Sequence, residues 1–194
     1  LHDEIEAAMG AVHRMEVMPS MRVMMSAGKA LEDHHVAGYN CAYVPVDDPR
    51  VFAEILYILM CGTGVGYSVE EMYVNQLPAV SNVLLPTETK LIVADSKMGW
   101  AASYRELVSL LYAGRIPVWD MSKIRGAGER LKTFGGRASG PEPLNELFKY
   151  TVTTFKNAQG RKLTTLETHD LVCKIASVVV VGGVRRSALI SLSD

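Results

Sequence analysis

Asn40–Val69 reads NCAYVPVDDPRVFAEILYILMCGTGVGYSV. Residues 40–46 are rich in β-formers and predict a strand. Asp47-Asp48-Pro49 follows, an Asp N-cap with proline at the first helical position. Phe52, Ile55, Leu56 and Leu59 then recur at helical spacing to about Cys61. Gly62-Thr63-Gly64-Val65-Gly66 turns the chain into a second short strand, Val65–Val69. Strand, helix and strand in so few residues predict a βαβ unit, whose two strands run parallel because the crossover returns the chain to the same end.

Outward from this unit the alternation continues. Upstream, residues 1–18 predict an amphipathic helix on Ile5, Met9, Val12 and Val17, ended by Pro19. A second short helix, Val23–Leu31, contains Gly28. Downstream, residues 74–89 look irregular, with breaks at Pro78 and Pro86. Lys90–Ala94 is a strand candidate, Asp95 or Ser96 caps a helix running to about Gly114, and Pro117–Met121 is another strand. Ser122–Pro143 is a long glycine-rich loop carrying Lys123, Arg125, Arg130, Lys132 and Arg137. Helices over 144–159 and 165–181 follow, the second stopped at Gly182-Gly183, and Ser187–Leu192 is a last strand. The expected class is α/β with mostly parallel strands and helical connections.

The chain has 194 residues, 20 Lys+Arg against 21 Asp+Glu, and 48% hydrophobic residues. That balance excludes a disordered chain and argues against a nucleic-acid binder, which carries a cationic surplus on one face. The longest apolar run, Ile175 to Val184, is short of the roughly 18 residues a membrane span needs. The acidic start (Leu1, His2, Asp3, Glu4) is unlike a signal peptide. Cys41, Cys61 and Cys173 are too far apart for paired metal ligands, and their odd number makes no disulfide framework. The expected location is therefore the cytoplasm, with reduced thiols. The chain starts without Met and stops at Ser191-Leu192-Ser193-Asp194, which leads us to expect a fragment.

Several groups carry potential chemistry. Gly62–Gly66 is not a Walker A, having no Gly-Lys-Ser/Thr, and it follows a helix where a dinucleotide fingerprint follows a strand. It is either a tight helix-to-strand turn or a backbone-amide cradle. The cationic loop 122–137 is either a solvated loop or a ligand-responsive element; its length and glycine content favour the second. Cys41, Cys61 and Cys173 read locally as small core hydrophobes, the last two on apolar helix faces. His34-His35 diverge on any regular element and do not suggest a metal site. Met15, Met18, Met21, Met24 and Met25 suggest adaptable packing. Val184-Arg185-Arg186-Ser187 suits either an anion or a loop tie.

Taken in order, MPSMR (18–22), Asn40-Cys41, GTGVGYSV (62–69), LKTFGGRASGPEPL (131–144) and GGVRRSA (182–188) resemble the first half of the catalytic subunit of adenosylcobalamin-dependent (class II) ribonucleotide reductase. The resemblance runs from residue 18 onward. The short interval Val74–Lys90 lacks the long insertion of the monomeric triphosphate reductases, so a phage-like or dimeric relative is expected. The implied fold is half of a ten-stranded α/β barrel. Residues 1–39 would form an N-terminal helical segment with a substrate-phosphate loop, and 40–194 the first barrel half.

The resemblance also implies roles. Cys41 matches the first redox cysteine, which with a second cysteine reduces the ribose 2′-carbon and ends as a disulfide that a dithiol or thioredoxin reopens. Asn40 and Cys41 line the ribose, Ser20 matches a hydroxyl at the substrate phosphates, and Gly64 packs its backbone on the substrate. Asp48 matches an acidic residue binding the ribose of a deoxynucleotide effector. Loop 122–132, with Ser122, Lys123, Arg125, Arg130 and Lys132, matches the specificity loop between the effector and substrate sites. The family's finger-loop segment Asn-x-Cys-x-Glu, its second redox cysteine and its second phosphate loop are absent from this sequence. A complementary chain or segment is therefore expected to carry the radical cysteine and most contacts to adenosylcobalamin. A split gene or an intein would produce such an arrangement. The substrate that the resemblance implies is a ribonucleoside di- or triphosphate. The rival reading is a non-catalytic nucleotide-binding regulatory or assembly module.

Overall fold

The computed structural model describes residues 1–130, 137–179 and 188–193. Helix α1 spans His2–His13, α2 Met21–Ser26 and α3 Lys29–Asp33, followed by a 3-10 turn over His35–Gly38. Strand β1 is Cys41–Pro45, α4 Val51–Met60, β2 Gly64–Ser68 and α5 Glu71–Val74. Then come β3 Leu85–Ile92, α6 Lys97–Tyr112, β4 Arg115–Asp120, α7 Glu142–Asn157, α8 Thr165–Val178 and β5 Leu189–Ser191.

The five described strands form two parallel sheets, β1-β2-β5 and β3-β4. The expected mixed α/β class with parallel strands and helical crossovers is what the chain adopts. The βαβ unit is present with Cys41 opposite Gly64 and Pro45 opposite Ser68. Helix α4 forms the crossover because Val51, Phe52, Ile55, Leu56 and Leu59 make one stripe, and all five are buried. Each such side chain contributes roughly 1.5–3 kcal/mol by leaving water.

One core joins the two sheets. It runs from α4 and β2 through β3 and α6 to α7 and α8. Tyr104 of α6 and Thr151 of α7 share a buried hydroxyl–hydroxyl hydrogen bond of 3.1 Å inside it. Ser96 caps α6, its Oγ accepting from Gly99 N–H at 3.0 Å. A Cβ at Gly99 would sit 2.6 Å from the Ala94 carbonyl oxygen, so only glycine lets α6 leave β3 this tightly. Gly114 ends α6 at φ +78°, the left-handed conformation that glycine takes freely. Helix α8 opens with a capping box between Thr164 and Glu167.

Several local expectations shift. Helix α1 stops at His13, because Met15 turns to φ 59° well before Pro19. Gly28, at φ 86°, splits the expected Val23–Leu31 helix into α2 and α3. Asp48 does not cap α4. Its Oδ1 accepts from the Arg50 N–H two residues on, and the helix starts at Val51. Strand β3 begins at Leu85, five residues earlier than expected, and runs through Pro86 at an irregularity in its pairing with β4. Pro86 lacks a ladder donor and is tolerated there. Met15, Met18, Met21 and Met24 are exposed rather than packed, and α1 contains no buried residue. No described helix is long and apolar enough to cross a membrane.

Candidate functional site

Strand alternation gives the β1-β2-β5 sheet two unlike faces. Val65 and Tyr67 point into the core, 2% and 1% exposed. Cys41, Tyr43 and Ile190 point the other way and are exposed, in register with Gly64 and Gly66. Among the described residues nothing covers this second face. Above β2 its floor is glycine: a Cβ at Gly64 would lie 3.4 Å from Ala188 Cβ, and one at Gly66 3.0 Å from Leu192 Cδ1. Glycine at these two positions spares the sheet a clash with the neighbouring Ala188 and Leu192 side chains.

Cys41 stands at the start of this face. Its solvent exposure overturns the local expectation of a core cysteine. Asn40 Nδ2 donates to its Sγ at 3.5 Å, and the Asn40 carbonyl accepts from Gly64 N–H at 3.0 Å. The structure thus brings Asn40, Cys41 and Gly64 together. The other two cysteines differ. Cys61 is buried, as expected, and burial pushes its thiol up. Cys173 is exposed, contrary to the core expectation.

The glycine run resolves as a turn and a strand, not an amide cradle. Its N–H groups are spent: Gly62 donates to Leu59, Thr63 to Ile58, Gly64 to Asn40 and Val65 to Ala188. Ser20 caps α2, its Oγ accepting from Val23 N–H at 3.5 Å, and is exposed. Arg22, two residues further, reaches the carbonyls of Ala37 and Gly62 with its two Nη groups. It ties the segment bearing Ser20 to the turn before Gly64; sequence reading did not single it out.

Asp48 lies past the opposite end of β1, a strand that rises roughly 13 Å from Cys41 to Pro45 at ~3.3 Å per residue. Its carboxylate takes both Arg50 Nε and Nη2 at 2.8 Å. That pair holds the carboxyl below the ordinary range, with Arg105 adding to the effect. Asp48, Pro49, Arg50, Arg105, Ser109 and Tyr112 line an open cleft of about 310 Å³. Arg105, Ser109 and Tyr112 share one face of α6 at i, i+4, i+7, a spacing legible in the sequence once α6 is recognised.

Loop 122–130 starts from β4. Ser122 N–H donates to Asp120 Oδ1 at 2.9 Å, and Asp120 is also paired with Lys90 at 2.8 Å. Ile124 is buried and anchors the loop. Arg125 Nε donates to Asp95 Oδ2 at 2.7 Å, pinning the loop beside the start of α6. Lys123 and Arg130 are exposed, and Arg130 forms an isolated antiparallel bridge with Arg137. Lys132, Gly182-Gly183 and Val184-Arg185-Arg186-Ser187 lie outside the described residues. The loop and the Asp48 cleft thus border the same helix, with Arg105 about 12 Å along α6 from its start at 1.5 Å per residue. Among the described residues, no group of three or more His, Cys, Asp or Glu side chains is placed to hold a metal ion.

Parallel strands, helical crossovers and an exposed thiol on one sheet face define an α/β unit. The proteins it is similar to are adenosylcobalamin-dependent ribonucleotide reductases. Residues 87–154 match the family model described as B12-dependent ribonucleotide reductase, insertion domain. The adenosylcobalamin-dependent ribonucleoside-triphosphate reductase of Euglena gracilis is 29% identical over 196 residues, covering 94% of this chain and 26% of the relative. That of Lactobacillus helveticus is 30% identical over 175 residues, covering 70% of this chain and 24% of the relative. The chain therefore spans about a quarter of the length of these curated relatives. A crystal structure of a B12-dependent (class II) ribonucleotide reductase shares the fold at a TM-score of 0.71 and 22% identity, over 80% of this chain and 29% of that one. The resemblance carried by the five sequence blocks is thus met in family, relatives and fold. The segment matching the insertion-domain description comprises most of β3, all of α6 and β4, the cationic loop and most of α7. Its helices and strands pack into the common core.

Proposed function

We propose that this chain is part of a class II ribonucleotide reductase. It would supply one wall of the pocket that converts ribonucleoside di- or triphosphates to 2′-deoxyribonucleotides. Cys41 carries the reading: it is an exposed thiol at the edge of a sheet face bearing two glycines that nothing among the described residues covers. In this proposal a thiol of the complementary segment pairs with it. Two thiols and a ribonucleotide give a disulfide, a 2′-deoxyribonucleotide and water, and an external dithiol or thioredoxin returns the disulfide to thiols. Asn40 and Gly64 flank the ribose and Ser20 faces the substrate phosphates. Residues 1–39 form the phosphate-side segment and 40–194 the first half of the barrel. A sheet face and edges left open in this way are usually met by another layer, and in this proposal the complementary segment supplies it and completes the barrel.

The Asp48 cleft suits a deoxynucleotide effector in volume and charge, with two arginines beside one carboxylate. Ser122, Lys123, Arg125, Arg130 and Lys132 form the loop that reports effector identity to the substrate site. The described residues do not fit a corrinoid: the cleft at Asp48 is nucleotide-sized and charged, and no metal-ligating group accompanies it. Adenosylcobalamin and the radical cysteine belong to the complementary segment, and no step on this chain runs through the cofactor.

The test is reconstitution. The chain is mixed with a segment carrying Asn-x-Cys-x-Glu, and the intact mass of the complex and its ribonucleotide reduction are measured with adenosylcobalamin and dithiol. A complex that reduces ribonucleotide supports the proposal. A complex that binds deoxynucleotide without reducing anything leaves the regulatory module as the better reading, one that the Asp48 cleft alone would satisfy. No complex and no nucleotide binding removes both.

A further inference from the structure

Residues 1–39 bring almost no core to the fold. Among their described side chains only Ser26, Ala30 and Ala37 are buried, all of them small. Their attachment to the βαβ unit is polar and gathers at one junction. From α2, Arg22 Nη1 donates to the Ala37 carbonyl at 3.3 Å and Nη2 to the Gly62 carbonyl at 2.5 Å. From the turn after α4, Thr63, only 1% exposed, sets its Oγ1 2.8 Å from the Val36 carbonyl oxygen and 2.9 Å from that of Tyr39. Gly64 N–H donates to the Asn40 carbonyl at 3.0 Å. Nearby, His34 Nδ1 lies 3.1 Å from the Tyr57 hydroxyl of α4. The carbonyls of Val36, Ala37, Tyr39 and Asn40 are thus held by Arg22 and by the turn 62–64. Ser20 stands two residues before Arg22, and Cys41 follows Asn40.

We infer that Arg22 and Thr63 are positioning residues that fix the separation between the Ser20 segment and the corner formed by Asn40, Cys41 and Gly64. The inference rests on the reading that Ser20 faces the substrate phosphates and that Cys41 and Gly64 meet the ribose. Phosphate and ribose belong to one small molecule, so contacts to both serve only at one separation. A misplacement of about 1 Å costs on the order of 100-fold in rate. A segment whose buried side chains are all small has little packing with which to hold that separation. The guanidinium holds it instead, because its planar fork engages carbonyls of two separate segments at once. Thr63 acts from the turn before β2. Its single hydroxyl proton is shared between two carbonyls, which keeps the chain before Cys41 seated on the turn before Gly64. Neither residue touches substrate; both act through Ser20, Asn40 and Gly64.

The test is amide hydrogen exchange on the full chain, followed by steady-state reduction in the reconstituted complex. Thr63→Val removes the hydroxyl at nearly constant shape, and Thr63→Ser keeps it. Arg22→Ala removes the fork, and Arg22→Lys serves one carbonyl without spanning two. In Thr63→Val and Arg22→Ala the Tyr39 and Gly64 amides should exchange on the order of 10-fold faster, while Val152 in α7 and Leu171 in α8 keep their rates. Thr63→Ser should exchange like the unaltered chain. With the complementary segment, Arg22→Ala should raise KM on the order of 10-fold with kcat within about threefold, the signature of a displaced phosphate contact. Thr63→Ser should restore the constants that Thr63→Val disturbs. Unchanged Tyr39 and Gly64 rates in both Thr63→Val and Arg22→Ala, or an equal acceleration at Val152 and Leu171, overturns the inference. So does a faster-exchanging junction that leaves KM and kcat untouched. If the unaltered complex reduces no ribonucleotide, the reading of Ser20 and Cys41 falls, and exchange alone decides whether the two residues hold the junction. If Arg22→Ala fails to fold, Arg22→Lys and Thr63→Val carry the same comparison.

Discussion

The two faces of the β1-β2-β5 sheet come from the same residues of chain, one position apart, and meet opposite fates. On one, Val65 and Tyr67 pack beneath α4 and α8 into a core continuous with the second sheet. On the other, Cys41, Tyr43, Ile190 and Leu192 stay in water over two glycines. The first face uses its side chains to hold the fold. The second has small or absent side chains where a ligand would lie and exposed apolar ones around them. A soluble domain rarely leaves a sheet face of this composition open, because apolar area left in water forfeits about 25 cal/mol per Å². The difference separates residues that specify the fold from residues that the fold does not bury.

The largest expected effect tests the open face. With the complementary segment, cobalamin and dithiol present, Cys41→Ser should cut multiple-turnover reduction on the order of 1,000-fold. Nucleotide binding, measured by calorimetry, should stay within about twofold, since the substituted atom takes part in electron transfer more than in binding. Unchanged turnover would take Cys41 out of the mechanism and reduce the open face to an interface. The covered face should respond in the opposite way. Phe52→Ala, which empties a fully buried site under this sheet, should cost about 3–5 kcal/mol in urea unfolding. Ile190→Ser should cost within about 0.5 kcal/mol in the isolated chain, yet weaken capture of the complementary segment. If Ile190→Ser destabilises the isolated chain as much as Phe52→Ala does, the two faces are not different in kind.

A smaller effect separates the loop's two kinds of arginine. Arg125 is half-buried on Asp95, whereas Arg130 is exposed. Arg130→Ala should shift base preference under different deoxynucleotide effectors by about fivefold without moving the melting temperature. Arg125→Ala should shift both, because it also releases the loop from the start of α6. Base preference that ignores both substitutions would refute the assignment of this loop.

Much of the fold was legible in the sequence. The β-rich segment before Val51, the buried stripe Phe52-Ile55-Leu56-Leu59, the Ser96 cap and the strand after Gly114 depend on neighbours within a few residues, and local rules reach that far. What local rules missed was tertiary. Periodicity tells which side chains share a face but not which face is covered, so Cys41 and Cys173 read as core residues although both are exposed. Pro86 read as a break because its place beside an irregular pairing with β4 depends on a strand about thirty residues on. Asp48 read as a helix cap because the sequence does not show that Arg50 claims both its oxygens. The cleft-lining Arg105 and Tyr112 drew no notice for a related reason: an arginine on a helix acquires meaning only when a carboxylate from another element faces it.

The smallest effect sharpens the covered face through the helix that packs on it. Glu167 closes the capping box of α8 and takes both Arg161 Nη groups at 2.7 Å. The Arg161 guanidinium, with help from Thr164, holds its carboxyl down at about 2 against an ordinary value of 4.5. A carboxyl depressed in the folded state stabilises the fold fully above its unfolded pKa, and that contribution drains away as pH falls from about 4.5 through about 2. Because both partners are partly exposed, the cap and the pair together contribute only about 1 kcal/mol. Glu167→Gln should therefore lower stability at pH 7 by about that much and flatten the stability–pH curve on the acid side, where the two proteins converge. The open face should not feel the change. If Glu167→Gln leaves the isolated chain's acid-side curve unaltered but impairs capture of the complementary segment, then α8 supports the interface more than the core. The separation between the two faces would then have to be redrawn along that helix.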